Sequence, residues 1–211
     1  ARLYSSAEAW AIKKSCRTVF CRAANLADRL KTEGVDARAV GNIMMDAIPY
    51  GDYDVAARRN RPMAVTLLPG SRALTAESFA IQVGALRLLP EEERPDVFLA
   101  VAGSVNVEEL AKAASLRRTA LLSTESDDLG ELSDGNLTVH MARGVAMGNL
   151  VVASDIVLSQ AGTATIQSLG LGRPAITFIN PRDRRSRFTD EQNLFGDARR
   201  VTEAKPEEVA E

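Results

Sequence analysis

The sequence contains one histidine and two cysteines, so it is poor in the side chains that usually bind transition metals. Cys16 and Cys21 lie close together, but His140 is far from both in the sequence. A structural zinc site needs about four such ligands, and we therefore predict no metal site. The two thiols are expected to be buried and reduced, as cysteines usually are in cytosolic proteins.

An excess of one charge and a long apolar run are also missing. Lys and Arg number 26 against 28 Asp and Glu, which leaves no electrostatic footprint for nucleic acid. No window approaches the roughly 18 consecutive apolar residues of a membrane-spanning helix. The composition thus excludes two classes of protein, and its 45% of hydrophobic residues suffices for the packed core of a cytoplasmic protein.

From residue 61 onward, predicted strands alternate regularly with helical or apolar segments. The strands are continuous apolar runs, which is typical of strands buried on both faces of a parallel sheet. Right-handed crossovers then give a Rossmann-like, doubly wound parallel α/β sheet. The predicted strands are 63–68, 96–102, 119–123, 137–142, 155–159 and 174–179, and the clearest helices are 74–89, 106–115 and 189–199.

Residues 1–60 have shorter predicted elements and a polar end. The pattern predicts a helix over 5–14, a strand over 17–21, a helix over 22–33 and a strand over 37–40. The arginine-rich stretch that follows, PYGDYDVAARRNR, predicts a linker. We therefore expect two domains, 1–60 with the linker and 61–211. Asp52 and Asp54 of the linker have a DxD spacing, but we expect both to be solvated acids.

The first candidate site is the loop after the first strand of the Rossmann-like domain. Ligands of open parallel sheets bind beyond the carboxyl ends of the strands. Gly70 allows close approach of the backbone, Ser71 could face a phosphate, and Arg72 offers a guanidinium for it. The alternative is an ordinary helix start with Ser71 as the cap and Arg72 in solvent.

The second candidate is the small-residue turn 159–165, SQAGTAT, which follows a predicted buried strand. Gly162, Thr163 and Thr165 would place free amides and two hydroxyls at the start of a helix, where anions bind. The spaced glycines of a dinucleotide fingerprint and the lysine of a P-loop are missing. Capping by Thr163 alone is the alternative.

Two further segments carry candidate contacts. In the stretch 140–144, we expect the backbone around Met141 and Arg143 to contact a flat base, whereas His140 is expected to be packed rather than catalytic. The basic run 182–187 contains four arginines, which suit either a solvated loop or contact with anionic lipid or phosphate.

Three motifs in this order resemble a known family. VGNIMMD (40–46), LLPGSR (67–72) and AGTATIQSLGLGRPAI (161–176) are similar to segments of bacterial lipid A disaccharide synthase and related glycosyltransferases. This resemblance covers about residues 10–195. The second half is also similar to the N-acetylglucosaminyltransferase of peptidoglycan synthesis, through ASD at 153–155 and Gln192.

The resemblance implies the donor-binding part of a metal-independent, GT-B-type glycosyltransferase. Its ligand would be a UDP-sugar, most simply a UDP-N-acetylhexosamine, bound without any cofactor. Gln192 would face the donor sugar, and Gln167 would replace a family glutamate that holds the ribose hydroxyls. Asn42 and Thr75 depart from the histidine and glutamate of the family.

The same resemblance implies that residues 1–60 are a remnant of an acceptor-side domain, which in the family carries the usual catalytic residue. We therefore expect this chain to be inactive alone and the full-length protein to be a glycosyltransferase. A lipid-linked acceptor and a peripheral position at the inner membrane face would follow, with the oligomeric state left open. The alternatives are a UDP-sugar epimerase of the same two-domain fold and a non-catalytic nucleotide-sugar or lipid-binding module.

Overall fold

The computed structural model describes residues 4–71, 74–119, 126–180, 182, 188, 191–192 and 195–211. The chain forms two compact units, Ala1–Ala47 and Ile48–Glu211.

The smaller unit is a two-stranded parallel sheet with two helices. Its elements are α1 (Ser6–Ser15), β1 (Val19–Cys21), α2 (Ala24–Thr32) and β2 (Ala37–Ala39). Ser5 and Glu8 form a reciprocal capping box that fixes the start of α1. The core consists of small and aliphatic residues between the helices and the strands, including Ala9, Cys21 and Leu30. Cys21 is buried as expected, whereas Cys16 is exposed, and both are free thiols.

The larger unit contains the predicted alternation of strands and helices. Its strands are β3 (Ala64–Leu68), β4 (Asp96–Val101), β5 (Arg117–Arg118), β6 (Asp128–Ser133), β7 (Thr138–Arg143), β8 (Ile156–Ser159), β9 (Ala175–Ile179) and β10 (Arg199–Glu203). The helices with fully described bounds are α3 (Thr75–Leu88), α4 (Val107–Ala113), α5 (Met147–Ala153), α6 (Gly162–Gly170) and α7 (Pro206–Ala210).

The eight strands form one sheet in the order β10-β9-β8-β3-β4-β7-β6-β5. The run from β10 to β7 is parallel throughout. Counted along the chain, these parallel strands have the order of the Rossmann fold, with the reversal of direction between β3 and β8. The predicted fold class, a Rossmann-like α/β sheet with flanking helices, is confirmed, and the reversal defines a crevice at the carboxyl ends of β3 and β8.

One edge of the sheet is antiparallel, which the sequence pattern did not predict. β6 pairs antiparallel with β7, and β5 pairs antiparallel with β6. β6 has a polar sequence, DLGELS, with Gly130 at a bulge and only alternate residues buried, so it lacks the continuous apolar run of the other strands. The strand predicted over 119–123 lies mostly outside the described residues.

The C-terminal region also differs from its prediction as a helix over 189–199. Phe188, Glu191, Gln192 and Phe195 are helical, but a single 3-10 turn follows at Gly196–Ala198 and β10 begins at Arg199. Gly196 has φ +52°, a left-handed conformation that ends a right-handed helix. β10 then pairs with β9 in parallel and completes the second half of the sheet.

Helices cover both faces of the sheet. On one face, the largest apolar cluster joins Phe79 and Val83 of α3 and Val209 of α7 to inward-facing residues of the strands, such as Leu67 and Leu99. On the other face, α5 and α6 pack against alternate strand positions in two smaller clusters. The parallel strands are therefore buried on both sides, as their apolar sequences indicate.

Residues 48–61, which we call the crossing segment, pack on the second face of the sheet and are not a linker. Tyr53 and Val55 are buried in a cluster with Phe98. Arg58 forms a buried ion pair of 2.7 Å with Asp128. The smaller unit thus ends at Ala47 rather than at the expected residue 60, because this segment supplies core contacts to the larger unit.

The crossing segment also has contacts at both ends of the neighbouring strands β4 and β7. Near the carboxyl end of β7, Asp127 Oδ2 accepts a hydrogen bond of 2.6 Å from the amide of Asp52. At the amino ends of the parallel strands, Asp96 at the start of β4 accepts hydrogen bonds of 2.7 Å from the amides of Asn60 and Arg61. The sequence hides this role because the packed residues are separated by exposed polar ones.

Candidate nucleotide-binding site

The two loops that the sequence analysis singled out lie side by side at the crevice between β3 and β8. The amide of Gln160, just after β8, donates a 2.8 Å hydrogen bond to the carbonyl of Leu68, the last residue of β3. A Cβ atom placed on Gly70 would lie 3.8 Å from the carbonyl oxygen of Gln160. The topology therefore joins two segments that are about ninety residues apart in the sequence.

The conformation of the first loop depends on glycine. Gly70 has φ +98°, a backbone conformation that residues with a Cβ atom rarely adopt. Ser71 is exposed, and the N-cap of α3 is Leu74 without a side-chain cap, so Ser71 is not the cap of this helix. Arg72 lies outside the described residues, and its role stays a prediction.

The start of α6 is an uncapped helix N-terminus. Its N-cap residue is Ala161, whose side chain offers no hydrogen bond to the first turn. Gly162 and Thr163 are both exposed, so Thr163 is not the cap that the alternative interpretation required. The first-turn amides of α6 and the positive end of its dipole are the groups that bind anions at such positions.

Thr165, by contrast, faces the interior. It is 5% exposed, its Oγ1 is 2.7 Å from the hydroxyl of Ser159, and it also donates to the carbonyl of Ala161. These bonds fasten the first turn of α6 to the end of β8. The structure therefore assigns the Thr165 hydroxyl to shaping the loop and leaves Thr163 as its exposed hydroxyl.

The two glutamines assigned through the family resemblance differ in their surroundings. Gln167 is only 5% exposed. Gln192 Nε2 donates to the carbonyls of Gly196 and Arg199 at 3.0 and 3.3 Å. Its Oε1 accepts from the guanidinium of Arg199 at 3.4 Å. Gln192 is therefore engaged at both ends of its amide, and its assignment to the donor sugar stays a prediction.

Arg199, which holds Gln192, is a buried cation at the start of β10. Its side chain is 1% exposed and lies 2.7 Å from the carboxylate of Glu191. It also donates to the carbonyl of Phe188 at 3.1 Å and lies over the ring of Phe195 at 4.8 Å. Arg199 thereby joins the helical residues Phe188, Glu191, Gln192 and Phe195 to the start of β10.

The segment 140–144, which was predicted to contact the base, is partly buried in the sheet and partly exposed at the carboxyl end of β7. Met141 is fully buried, and it pairs with Leu99 on one side and Gly130 on the other, so neither its side chain nor its position suits a ligand contact. Arg143, the last residue of β7, is exposed, and its Nε donates to the carbonyl of Ser126 at 3.0 Å. A Cβ on Gly144 would lie 3.2 Å from the carbonyl of Val101, which keeps this loop close to the end of β4.

His140 lies within β7 and away from its carboxyl end, in register with Phe98 and Glu131. Its Nδ1 is 2.9 Å from the carboxylate of Glu131. Burial lowers the pKa of His140 below its usual 6.5, against the opposing effect of Glu131. The expectation that this histidine is packed therefore holds, and it is separate from the crevice.

The acidic and basic segments add no further site within the described part of the chain. Asp52 and Asp54 are exposed, and the described residues contain no group of three or more His, Cys, Asp or Glu side chains arranged for a metal ion. Arg182 is exposed and lies 3.5 Å from Glu77, whereas Arg184, Arg185 and Arg187 lie outside the described residues. No described helix is long and apolar enough to cross a membrane.

The sequence analysis included Gln160 in the turn 159–165 but gave its side chain no role. Gln160 follows β8 directly, and its side-chain Nε2 is buried without a hydrogen-bond partner among the described residues. Its position at the carboxyl end of a central strand was visible in the sequence, but the lack of a partner is a property of the packed structure alone.

Comparison with known proteins supports the fold. No protein-family model matches the sequence, and no match is found among curated proteins. Among solved structures, a UDP-N-acetylglucosamine 2-epimerase is similar with a TM-score of 0.56 at 15% identity, over 94% of this chain and 48% of that one. S. aureus MnaA in a co-structure with UDP is similar with a TM-score of 0.54 at 13% identity, over 97% and 52%.

The UDP-GlcNAc 2-epimerase from Neisseria meningitidis bound to UDP-GlcNAc gives a TM-score of 0.55 at 12% identity, over 97% of this chain and 53% of that one. The chain thus spans about half the length of these structures. The likeness identifies the fold as the Rossmann-like α/β fold of these enzymes.

Proposed function

We propose that this chain binds a UDP-sugar at the crevice between β3 and β8, without a metal ion. The observation that carries the proposal is the meeting of the uncapped start of α6 with the Gly70 loop at the point where the strand order reverses. Dinucleotide diphosphates bind at this point of the Rossmann fold. The nucleotide-sugar enzymes among the structural neighbours support UDP as the nucleotide.

In the proposed complex, the charge of the diphosphate is neutralised by the protein alone. The first-turn amides of α6 and the hydroxyls of Ser71 and Thr163 donate hydrogen bonds, and Arg72 supplies a positive charge. Arg143 and the backbone of Gly144 lie at the carboxyl end of β7, on the same side of the sheet as the carboxyl ends of β3 and β8. The base would be held there. These groups would bind the nucleotide-sugar and stabilise UDP as a leaving group.

For the full-length protein, two reactions use such a binding half. The motif resemblance favours glycosyl transfer, in which the bond between the anomeric carbon and the diphosphate breaks as an acceptor oxygen attacks. The structural neighbours favour epimerisation of UDP-GlcNAc. The only histidine of this chain lies inside β7, so it does not supply acid–base chemistry at the sugar. A lipid-linked acceptor and a place at the membrane stay predictions of the motif resemblance.

Calorimetry of the chain with UDP and with UDP-GlcNAc, in excess EDTA and again with Mg²⁺, tests the proposed binding. We expect saturable binding of both ligands with the same affinity in either buffer. A requirement for Mg²⁺ would refute the metal-free site, and no binding in either buffer would refute the proposal. Incubating the full-length protein with UDP-GlcNAc, with and without a lipid-linked acceptor, then separates the reactions. NMR distinguishes acceptor-dependent transfer of the sugar with release of UDP from acceptor-independent formation of a sugar epimer.

A further inference from the structure

Gln160 occupies the centre of the crevice between β3 and β8. Its amide is fixed by the 2.8 Å hydrogen bond to Leu68, and its carbonyl lies nearest to the Cβ position of Gly70. The next residue is Ala161, the N-cap of α6. The backbone of Gln160 thus connects the two loops to which we assign the diphosphate.

The side chain of Gln160 carries an unused hydrogen-bond donor. Its Nε2 is buried and has no partner within the described residues. Gln82 of α3 offers a contrast, because its Nε2 donates to the carbonyl of Leu158 at 2.9 Å. Buried donors in folded proteins are almost always paired, and an unpaired one lowers stability. An unpaired donor on the residue whose backbone connects the two loops suits a bond that forms only when a ligand is present.

We propose that the side-chain amide of Gln160 donates a hydrogen bond to a diphosphate oxygen of the bound nucleotide-sugar. The inference rests on the proposed function and adds to it a ligand-binding residue. Turning Nε2 toward the ligand breaks no described hydrogen bond, and diphosphate oxygens are strong acceptors. The side-chain amide of Gln160 carries no charge. Unlike a lysine or arginine, it would therefore not form an ion pair with a protein carboxylate in place of the diphosphate.

The test is the substitution Gln160→Met, which keeps the length of the side chain and removes the donor. We expect the melting temperature without ligand to stay the same or rise, because no hydrogen bond of Nε2 is lost. The affinity for UDP and for UDP-GlcNAc in EDTA should fall about threefold to tenfold, as expected for one hydrogen bond.

Gln82→Met is the matched control, because it removes a donor that is already used. Its melting temperature should fall while its UDP affinity stays close to that of the unmodified chain. If Gln160→Met instead lowers the melting temperature and leaves UDP affinity unchanged, Gln160 is structural and the inference is overturned. A loss seen with UDP-GlcNAc but not with UDP would overturn the assignment to the diphosphate.

The unmodified chain separates these results from a failure of the proposed function. If it binds UDP and Gln160→Met binds equally well, only the inference about Gln160 is wrong. If it does not bind UDP, the proposed function itself is wrong, and the inference is overturned with it.

Discussion

The amide of Gly148 in α5 donates a 2.9 Å hydrogen bond to the carbonyl of Pro49 in the crossing segment. The two backbones are so close that a Cβ atom on Gly148 would lie 2.6 Å from that carbonyl oxygen, and 2.8 Å from the ring of Tyr50. The amide of Gly51 also donates a 2.9 Å hydrogen bond to Oδ1 of Asn149. The crossing segment is therefore docked on α5 by backbone contact, which explains why a stretch with a polar sequence is part of the larger unit.

Gly148→Ala should destabilise the larger unit by about 1–3 kcal/mol, the usual cost of overpacking. A loss of stability is informative because alanine is favoured over glycine in a helix by about 1 kcal/mol. Helix propensity alone would therefore make the variant more stable. Urea unfolding of the variant measures the effect. Gly103→Ala is the control, since a Cβ on Gly103 meets nothing within 4 Å. Equal or higher stability of Gly148→Ala would contradict the docking of the crossing segment.

Gly70→Ala should weaken UDP binding about fivefold to a hundredfold because the loop at the crevice must rearrange. Gly70 has φ +98°, and forcing alanine into such a conformation costs about 1–3 kcal/mol. Gly135 has φ +93° in the β6–β7 turn, at the amino end of β7 and thus away from the crevice. Nothing lies within 4 Å of its Cβ position. Gly135→Ala should thus lower stability similarly and leave UDP affinity intact. Equal UDP affinities of the two variants would count against the crevice.

Thr163→Val should reduce UDP affinity by about 1 kcal/mol, roughly fivefold, because it removes one exposed hydroxyl. Its melting temperature should change little, since the N-cap of α6 is Ala161 and no side-chain cap is lost. Thermal unfolding and calorimetry on the same preparation check both parts. A lower melting temperature with unchanged affinity would show that the hydroxyl supports the helix rather than the ligand.

Arg72→Ala should weaken UDP binding about tenfold to a hundredfold, through loss of a charge-assisted hydrogen bond to phosphate. Arg117, exposed on the edge strand β5, provides a control that changes the net charge equally. Arg117→Ala should bind UDP like the unmodified chain. If both variants lose affinity to the same extent, the effect is one of overall charge and Arg72 has no specific role.

Stability should fall as the pH is lowered through about 6.5, because of His140. Its pKa in the folded protein is lowered by burial, so the unfolded chain takes up a proton first as the pH falls. The stabilisation is therefore present above the unfolded pKa and is lost below it. Urea unfolding at about pH 7.5 and about pH 5.5 measures this, and His140→Gln should show a smaller loss than the unmodified chain. An equal loss in both proteins would assign the pH dependence to other groups.

The sequence predicted those parts of the fold that have a strong local pattern. Strands such as β3 and β4 are apolar on both faces, and this pattern identifies them without tertiary information. The loops at Gly70 and Gly162 were found because small residues follow such strands. β6 was missed because it is buried on alternate residues only and contains a glycine at its bulge.

The remaining differences arise from tertiary contacts that no local pattern shows. The crossing segment is held by the buried ion pair of Arg58 with Asp128, seventy positions further along. Gln192 was assigned by motif position, but the buried cation Arg199 engages its amide. The side chain of Gln160 received no role because only packing shows that its donor has no described partner.

The central claim, a UDP site at the carboxyl ends of β3 and β8, is tested most directly by NMR of the ¹⁵N-labelled chain titrated with UDP in EDTA. The predicted result is saturable shifts of amide signals concentrated in 69–72 and 160–164, with smaller shifts at 143–145. The signals of the β6–β7 turn at Gly135 and of β1 should stay in place. Saturable shifts confined to other regions, or no shifts at all, would contradict the claim.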